Sequence, residues 1–139
     1  MSLVLDNSIS MRWLFGDGKS RDIAYARNVL EAIKNTQVFV PVTWGLEVAN
    51  VLVRAEAKAL VTNAHSQAFL ELLESINPVV DEATFTRALS DNLQLARRYK
   101  LSAYDASYLE LALRSGLPIA TLDQDLLKAA AKTGVKRFA

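Results

Sequence analysis

Three apolar residues near the start of the chain, Leu3-Val4-Leu5, run without a break and stop at a carboxylate, Asp6. An apolar run with no polar alternation is the pattern of a strand buried on both faces, as in a parallel sheet covered by helices. In open sheets of that kind, ligands bind beyond the carboxyl ends of the strands. Asp6 therefore falls where a site is expected. The competing explanation is local: Asp6-Asn7-Ser8 is also good capping chemistry for a helix over residues 9–15. Taken alone, these three residues favour the cap.

The rest of the chain repeats the alternation of short apolar runs with longer amphipathic ones. A helix is predicted over 22–35 with Ser20 as its cap, then a strand at 38–40 closed by Pro41. Thr43 is placed to cap a helix over 44–60, and Thr62 or Asn63 to open another that runs to 75. After the break at Asn77-Pro78, a short strand at 79–80 precedes a long helix over 83–99. Ser102 caps a helix over 103–115, and Gly116 ends it. A strand at 117–121 follows, then a helix from Asp123-Gln124-Asp125 to about 133, and an edge strand at 135–138. Strands that alternate with helices argue for a short, mainly parallel central sheet with helices on both faces, a three-layer α/β/α arrangement. No linker, low-complexity stretch or repeat interrupts it, so residues 1–139 read as one domain.

Composition narrows the chemistry. The chain has no cysteine and one histidine, His65. Disulfides, thiolate metal sites and a cysteine nucleophile are excluded, and a Ser-His-Asp triad is a poor fit. The cysteine usage suits a cytoplasmic protein, with no apolar run of membrane-spanning length and no signal-peptide pattern. Net charge is +1. If four of the 15 acids gather in one site, the 16 lysines and arginines outnumber those left on the rest of the surface. A basic surround of that kind attracts a polyanion.

Four acids stand in suggestive places. Asp6 ends the first strand, Glu47 lies one turn into the helix after the second, Asp105 opens a later helix, and Asp123 follows the strand ending at Thr121. Each alone is explained by the favourable position of an acid in a first helical turn. Helix dipoles do not explain why such acids recur on what would be one edge of one sheet. Carboxylates brought together repel unless protons or cations intervene. With no thiolate and one imidazole in the chain, the matching ligand is an oxygen-loving cation, Mg2+ or Mn2+, and such a site suits phosphodiester hydrolysis.

Leu3-Val4-Leu5-Asp6-Asn7-Ser8, the stretch from Pro41 through Trp44 and Glu47 to Leu52, Leu101-Ser102-Ala103-Tyr104-Asp105-Ala106 and Ala120-Thr121-Leu122-Asp123 together resemble the PIN-domain family. The likeness is strongest to the VapC-type toxins of toxin–antitoxin pairs, and it covers residues 3–137. Each motif is weak by itself; the order and spacing carry the resemblance. It implies a Mg2+- or Mn2+-dependent endoribonuclease that hydrolyses RNA phosphodiester bonds, forms a homodimer and is inhibited by a small VapB-like antitoxin. By motif position, Asp6, Glu47, Asp105 and Asp123 would be the catalytic acids. Asp6, Asp105 and Asp123 would be the metal ligands, with Glu47 and Asp125 as further candidates. Asp125 is equally explained as a first-turn acid. Ser8, Asn50 and Thr121 match the polar residues that accompany the acids. Arg12 and Arg54 are candidates for holding RNA phosphates, or for ion pairs with the site carboxylates. Trp13 and Trp44 read as core or groove-wall residues, and His65 as exposed.

Other classes fit less well. A haloacid-dehalogenase-like phosphatase also begins with a strand ending in Asp, but needs a second acid two residues on, where this chain has Ser8. A dinucleotide-binding fold lacks its glycine-rich turn. A receiver-like domain lacks its early acidic pair. A PIN-like scaffold that only binds RNA or protein gains nothing from four mutually repelling acids.

Overall fold

The computed structural model describes residues 1–138. Four strands form one parallel sheet in the order β3-β2-β1-β4. They are β1 (Ser2–Leu5), β2 (Gln37–Pro41), β3 (Val79–Asp81) and β4 (Ile119–Ala120). The opening apolar run is the central strand: Leu3 sits opposite Val38 and Val4 opposite Phe39, while Val4 and Leu5 face Ile119 and Ala120. Leu3, Val4 and Leu5 have no solvent exposure. That is why the run has no polar alternation: both faces of β1 are covered.

Helices α1 (Asn7–Phe15) and α2 (Ser20–Ala32) join β1 to β2. α3 (Trp44–Ala57) and α4 (Asn63–Ile76) join β2 to β3. Thr62 caps α4 by accepting from the His65 amide, whereas Thr43, at the same position before α3, makes no cap bond. α3 stops earlier than its periodicity predicts. Ala59 adopts a left-handed φ of 56°, and the Leu60 amide donates back to the Ala55 carbonyl, which ends the helix without a glycine.

The long helix expected over 83–99 is broken in three: α5 (Thr84–Arg87), a π-helical turn at Ala88–Asn92, and α6 (Leu93–Tyr99). The wide turn carries Asn92, which is buried and donates through Nδ2 to the Ala103 carbonyl at 3.0 Å. A long-range partner therefore decides the local geometry, which periodicity alone does not reveal. α7 (Ala103–Ser115) is the central helix, buried over most of its length and capped by Ser102. Its far end is tied to β3 through Arg114, which donates to both Asp81 and Glu110. α8 (Gln124–Thr133) closes the fold.

The edge strand expected at 135–138 is reduced to a single bridge between Ile119 and Arg137. β4 is only two residues long, and Pro118 before it has no N–H to extend the ladder. Among the described residues, no helix is long and apolar enough to cross a membrane.

Candidate active site

Asp6 stands before α1, yet its side chain caps nothing there. Its Oδ2 accepts instead from Ser8 Oγ and from Thr121 Oγ1, both at 2.6 Å. The pairing of β1 with β4 makes this possible: the Asp6 amide donates to the Ala120 carbonyl, so Thr121 arrives beside it. Each hydroxyl also accepts from the turn after β4, Ser8 from the Leu122 amide and Thr121 from the Asp123 amide, both at 3.0 Å. Two small side chains thus lock the end of β1 to the start of α8. Asp6 is 4% exposed. Burial pushes its carboxyl above the usual range, the two hydroxyls oppose that, and the charge of Asp123 adds to it.

Asp123 caps α8, its Oδ1 accepting from the Leu126 amide at 2.9 Å. The capping explanation therefore holds for this acid, but a cap does not remove the charge, which acts on Asp6 and Asp105. Asp105 lies in the first turn of α7, its amide bonded to Ser102 Oγ. Burial pushes its carboxyl up to about 6, helped by the charges of Asp6, Asp123 and Asp125. Glu47 is pushed up to about 7, first by burial, with the charges of Asp6 and Asp105 adding to it. Its Oε1 accepts from Tyr108 at 3.2 Å and from Thr43 at 3.4 Å.

Asp6 is thus electrostatically joined to Glu47, Asp105 and Asp123; Asp6 and Asp123 stand just past β1 and β4, and Glu47 and Asp105 in the first turns of α3 and α7. Glu47 and Asp105 line an open cleft of about 560 Å3 with Asn50, an exposed side chain one turn beyond Glu47. Asp125 is exposed at the start of α8. Arg54 is exposed farther along α3, beyond the residues that line the cleft. Arg12 is not brought to the acids. It sits in the last turn of α1 and binds the carbonyl and carboxylate of Asp17, tying down the loop at residues 16–18. Trp13 donates to the Ala26 carbonyl and Trp44 is buried. His65 is exposed.

Two site residues escaped the sequence reading. Tyr108, fully buried, lies one turn after Asp105 and reaches across to α3. Thr43, expected as a cap, turns its hydroxyl to Glu47 instead. Their spacing, three residues after one acid and four before another, is the only sequence signal, and it is shared by many pairs on any helix.

The chain matches the PIN domain family over residues 3–132. It belongs to the PIN domain family. Two solved structures share the fold. One is the crystal structure of PAE2754 from Pyrobaculum aerophilum, with a TM-score of 0.65 and 23% identity over 93% of this chain and 79% of that one. The other is that of FitAcB from Neisseria gonorrhoeae, with a TM-score of 0.57 and 16% identity over 99% of this chain and 96% of that one. No curated protein matches the chain significantly. PIN domains are typically nucleases, generally with divalent metals. The match removes the dehalogenase-like reading, in which Ser8 had no role; here Ser8 holds Asp6.

The donor chemistry of this PIN domain suits a hard divalent cation, because the converging groups are all carboxylates. The spacing is looser than a ligand cage. Among the described residues, no three His, Cys, Asp or Glu side chains stand close enough to enclose one ion. One or two carboxylates, with water completing the shell, is the usual way proteins hold Mg2+.

Proposed function

We propose that this PIN domain is a metal-dependent endoribonuclease, acting as the toxin of a VapBC-type pair. The observation that carries the reading is Asp6. It is a buried carboxylate released from capping, gripped by two hydroxyls, and coupled through charge to three further acids, Glu47, Asp105 and Asp123. Burying acids in one another's field costs stability, which is reasonable only where a cation or a reacting group offsets it.

Mg2+ or Mn2+ would be held among Asp6, Asp105 and Asp123, one or two carboxylates binding it directly and the others through water, with Glu47 and Asp125 beside them. A divalent ion bound there supplies activation of water and stabilisation of the negative charge that builds on the phosphate and the leaving oxygen. The chain's own part is positional. Ser8 and Thr121 fix Asp6, Ser102 fixes the turn that carries Asp105, and Tyr108 and Thr43 fix Glu47. Overall, water adds across a P–O bond of the RNA backbone: its oxygen joins phosphorus and its proton ends on the leaving oxygen. Arg54, exposed on the helix that carries Glu47, is suited to a flanking phosphate.

Partners follow from the same reading. Phe85 and Leu89, one helical turn apart, are 86% and 87% exposed. Apolar side chains that open to water support a homodimer contact, and a small VapB-like antitoxin would block the acids. The experiment that tests the activity is incubation of purified, inhibitor-free protein with tRNA, rRNA and mRNA fragments in Mg2+, Mn2+ or EDTA. Cleavage in metal and none in EDTA is expected. If every RNA stays intact in Mn2+, the domain is a binding scaffold.

A further inference from the structure

The cleft has a second character besides its acids. Leu46 and Tyr104 line it and are 75% and 61% exposed. Each directly precedes an acid, Leu46 before Glu47 on α3 and Tyr104 before Asp105 on α7. Successive residues on a helix point about 100° apart, as 3.6 residues per turn requires. Both helices therefore turn an acid inward and an apolar side chain outward at the same level. The cleft carries an aliphatic side chain from one helix and an aromatic one from the other, and Thr43, Asn50 and Ser102 add hydrogen-bonding groups to its lining.

The lining also excludes one kind of occupant. It contains two carboxylates and neither lysine nor arginine. A phosphate with no metal ion beside it is repelled there. A flat, uncharged group with polar edges is not: its faces meet Leu46 and Tyr104, and its edges meet the amide and hydroxyls. Trp13 and Trp44 are committed to the interior, which leaves Tyr104 as the aromatic ring of this cleft.

We propose that Leu46 and Tyr104 form a subsite for one unpaired nucleobase of the RNA, beside the acids that act on its backbone. The inference rests on the nuclease reading and assigns the contact with one base to these two side chains. Base-paired RNA keeps its bases stacked inside the duplex and cannot fill the subsite, whereas splayed bases of single strands stack on aromatic side chains.

The test uses the full chain in EDTA, so that RNA is bound without being cut. The probes are short single-stranded RNAs that carry one 2-aminopurine, moved along the strand position by position, and the matching set with an abasic residue. At one position, 2-aminopurine fluorescence should be quenched on binding. At that position the abasic RNA should bind about 5- to 150-fold more weakly, the range for one base stacked on an aromatic ring. Tyr104→Ala should abolish the quenching and the abasic penalty, Tyr104→Phe should keep both, and Leu46→Ala should reduce them. Both side chains are largely exposed, so melting temperatures should stay near wild type and separate a binding effect from misfolding.

If wild type binds and cuts RNA but no position shows quenching or an abasic penalty, the subsite is overturned and the nuclease reading stands. The walls then belong to a protein partner. If wild type neither binds nor cuts any RNA, the nuclease reading falls and the subsite with it.

Discussion

The hydroxyl of Tyr108, a side chain with no solvent exposure, donates across 3.2 Å to Oε1 of Glu47, sixty-one positions earlier in the chain. Burial and the surrounding carboxylates push this phenol far above the ordinary tyrosine range, so it remains a proton donor. Tyr108→Phe removes the donor and keeps the ring. Glu47 is half-buried and keeps only the longer Thr43 bond, so losing this donor costs about 1–2 kcal/mol. Denaturant unfolding at pH 8 should show that loss, and cleavage should fall because Glu47 is no longer held. Unchanged stability together with unchanged cleavage would remove Tyr108 from the site.

Asp6→Asn keeps the shape and the acceptor for Ser8 and Thr121 while deleting a buried charge. Metal-free Asp6→Asn should melt at or above the wild-type temperature, since burial and the Asp123 charge both disfavour the ionised form. Cleavage should be lost. Mg2+ should raise the melting temperature of the wild type more than that of the variant, because a ligand bound to the native state is linked to folding. Equal Mg2+ shifts in the two proteins would argue against Asp6 as a ligand.

Without metal, stability should decline as pH rises from about 4 to about 7. Glu47 and Asp105 titrate near 7 and near 6 when folded, against ordinary values of 4.5 and 3.8. The folded protein therefore holds protons that the unfolded chain has already released, and unfolding becomes easier as those protons leave. Asp6 acts in the same direction. Asp81, whose burial is outweighed by the Arg114 guanidinium, is shifted down, so its contribution is lost only as pH falls below about 3.8. Calorimetry in EDTA should give a higher melting temperature at pH 5 than at pH 8, and Mg2+ should restore stability at pH 8. A higher value at pH 8 in EDTA would contradict the packing of these acids.

Arg54 and Arg12 should separate. Arg54→Ala should weaken RNA binding and reduce its salt slope by about one counterion, as for one lost phosphate contact. Arg12→Ala should leave that slope unchanged and instead loosen the loop that Arg12 ties through Asp17. Titrations of RNA at several salt concentrations distinguish the two; a slope change with Arg12→Ala alone would reverse the assignment.

Much of the scaffold was readable without coordinates. The unbroken run Leu3-Val4-Leu5 marks a strand covered on both faces, because a strand that meets solvent on one side alternates. Ser102 and Gly116 bracket α7 because capping and left-handed termination are local, and so are Thr62 before α4 and Asn77 after it. The acids at 6, 47, 105 and 123 are singled out in the sequence by an order and spacing that resemble a family pattern. Other features depend on residues far apart in sequence. Asp6 has capping chemistry in its own neighbourhood, and only the pairing of β1 with β4 brings Thr121 close enough to take its carboxylate away from α1. The π-helical turn at Asn92 answers to a carbonyl on α7, and Tyr108 finds Glu47 only once α3 and α7 are packed side by side. Local sequence determined where elements begin and end, because caps, turns and periodicity act within a few residues. Tertiary structure decided which polar groups meet, because hydrogen bonds and charge fields act over a few ångströms of space whatever the distance along the chain.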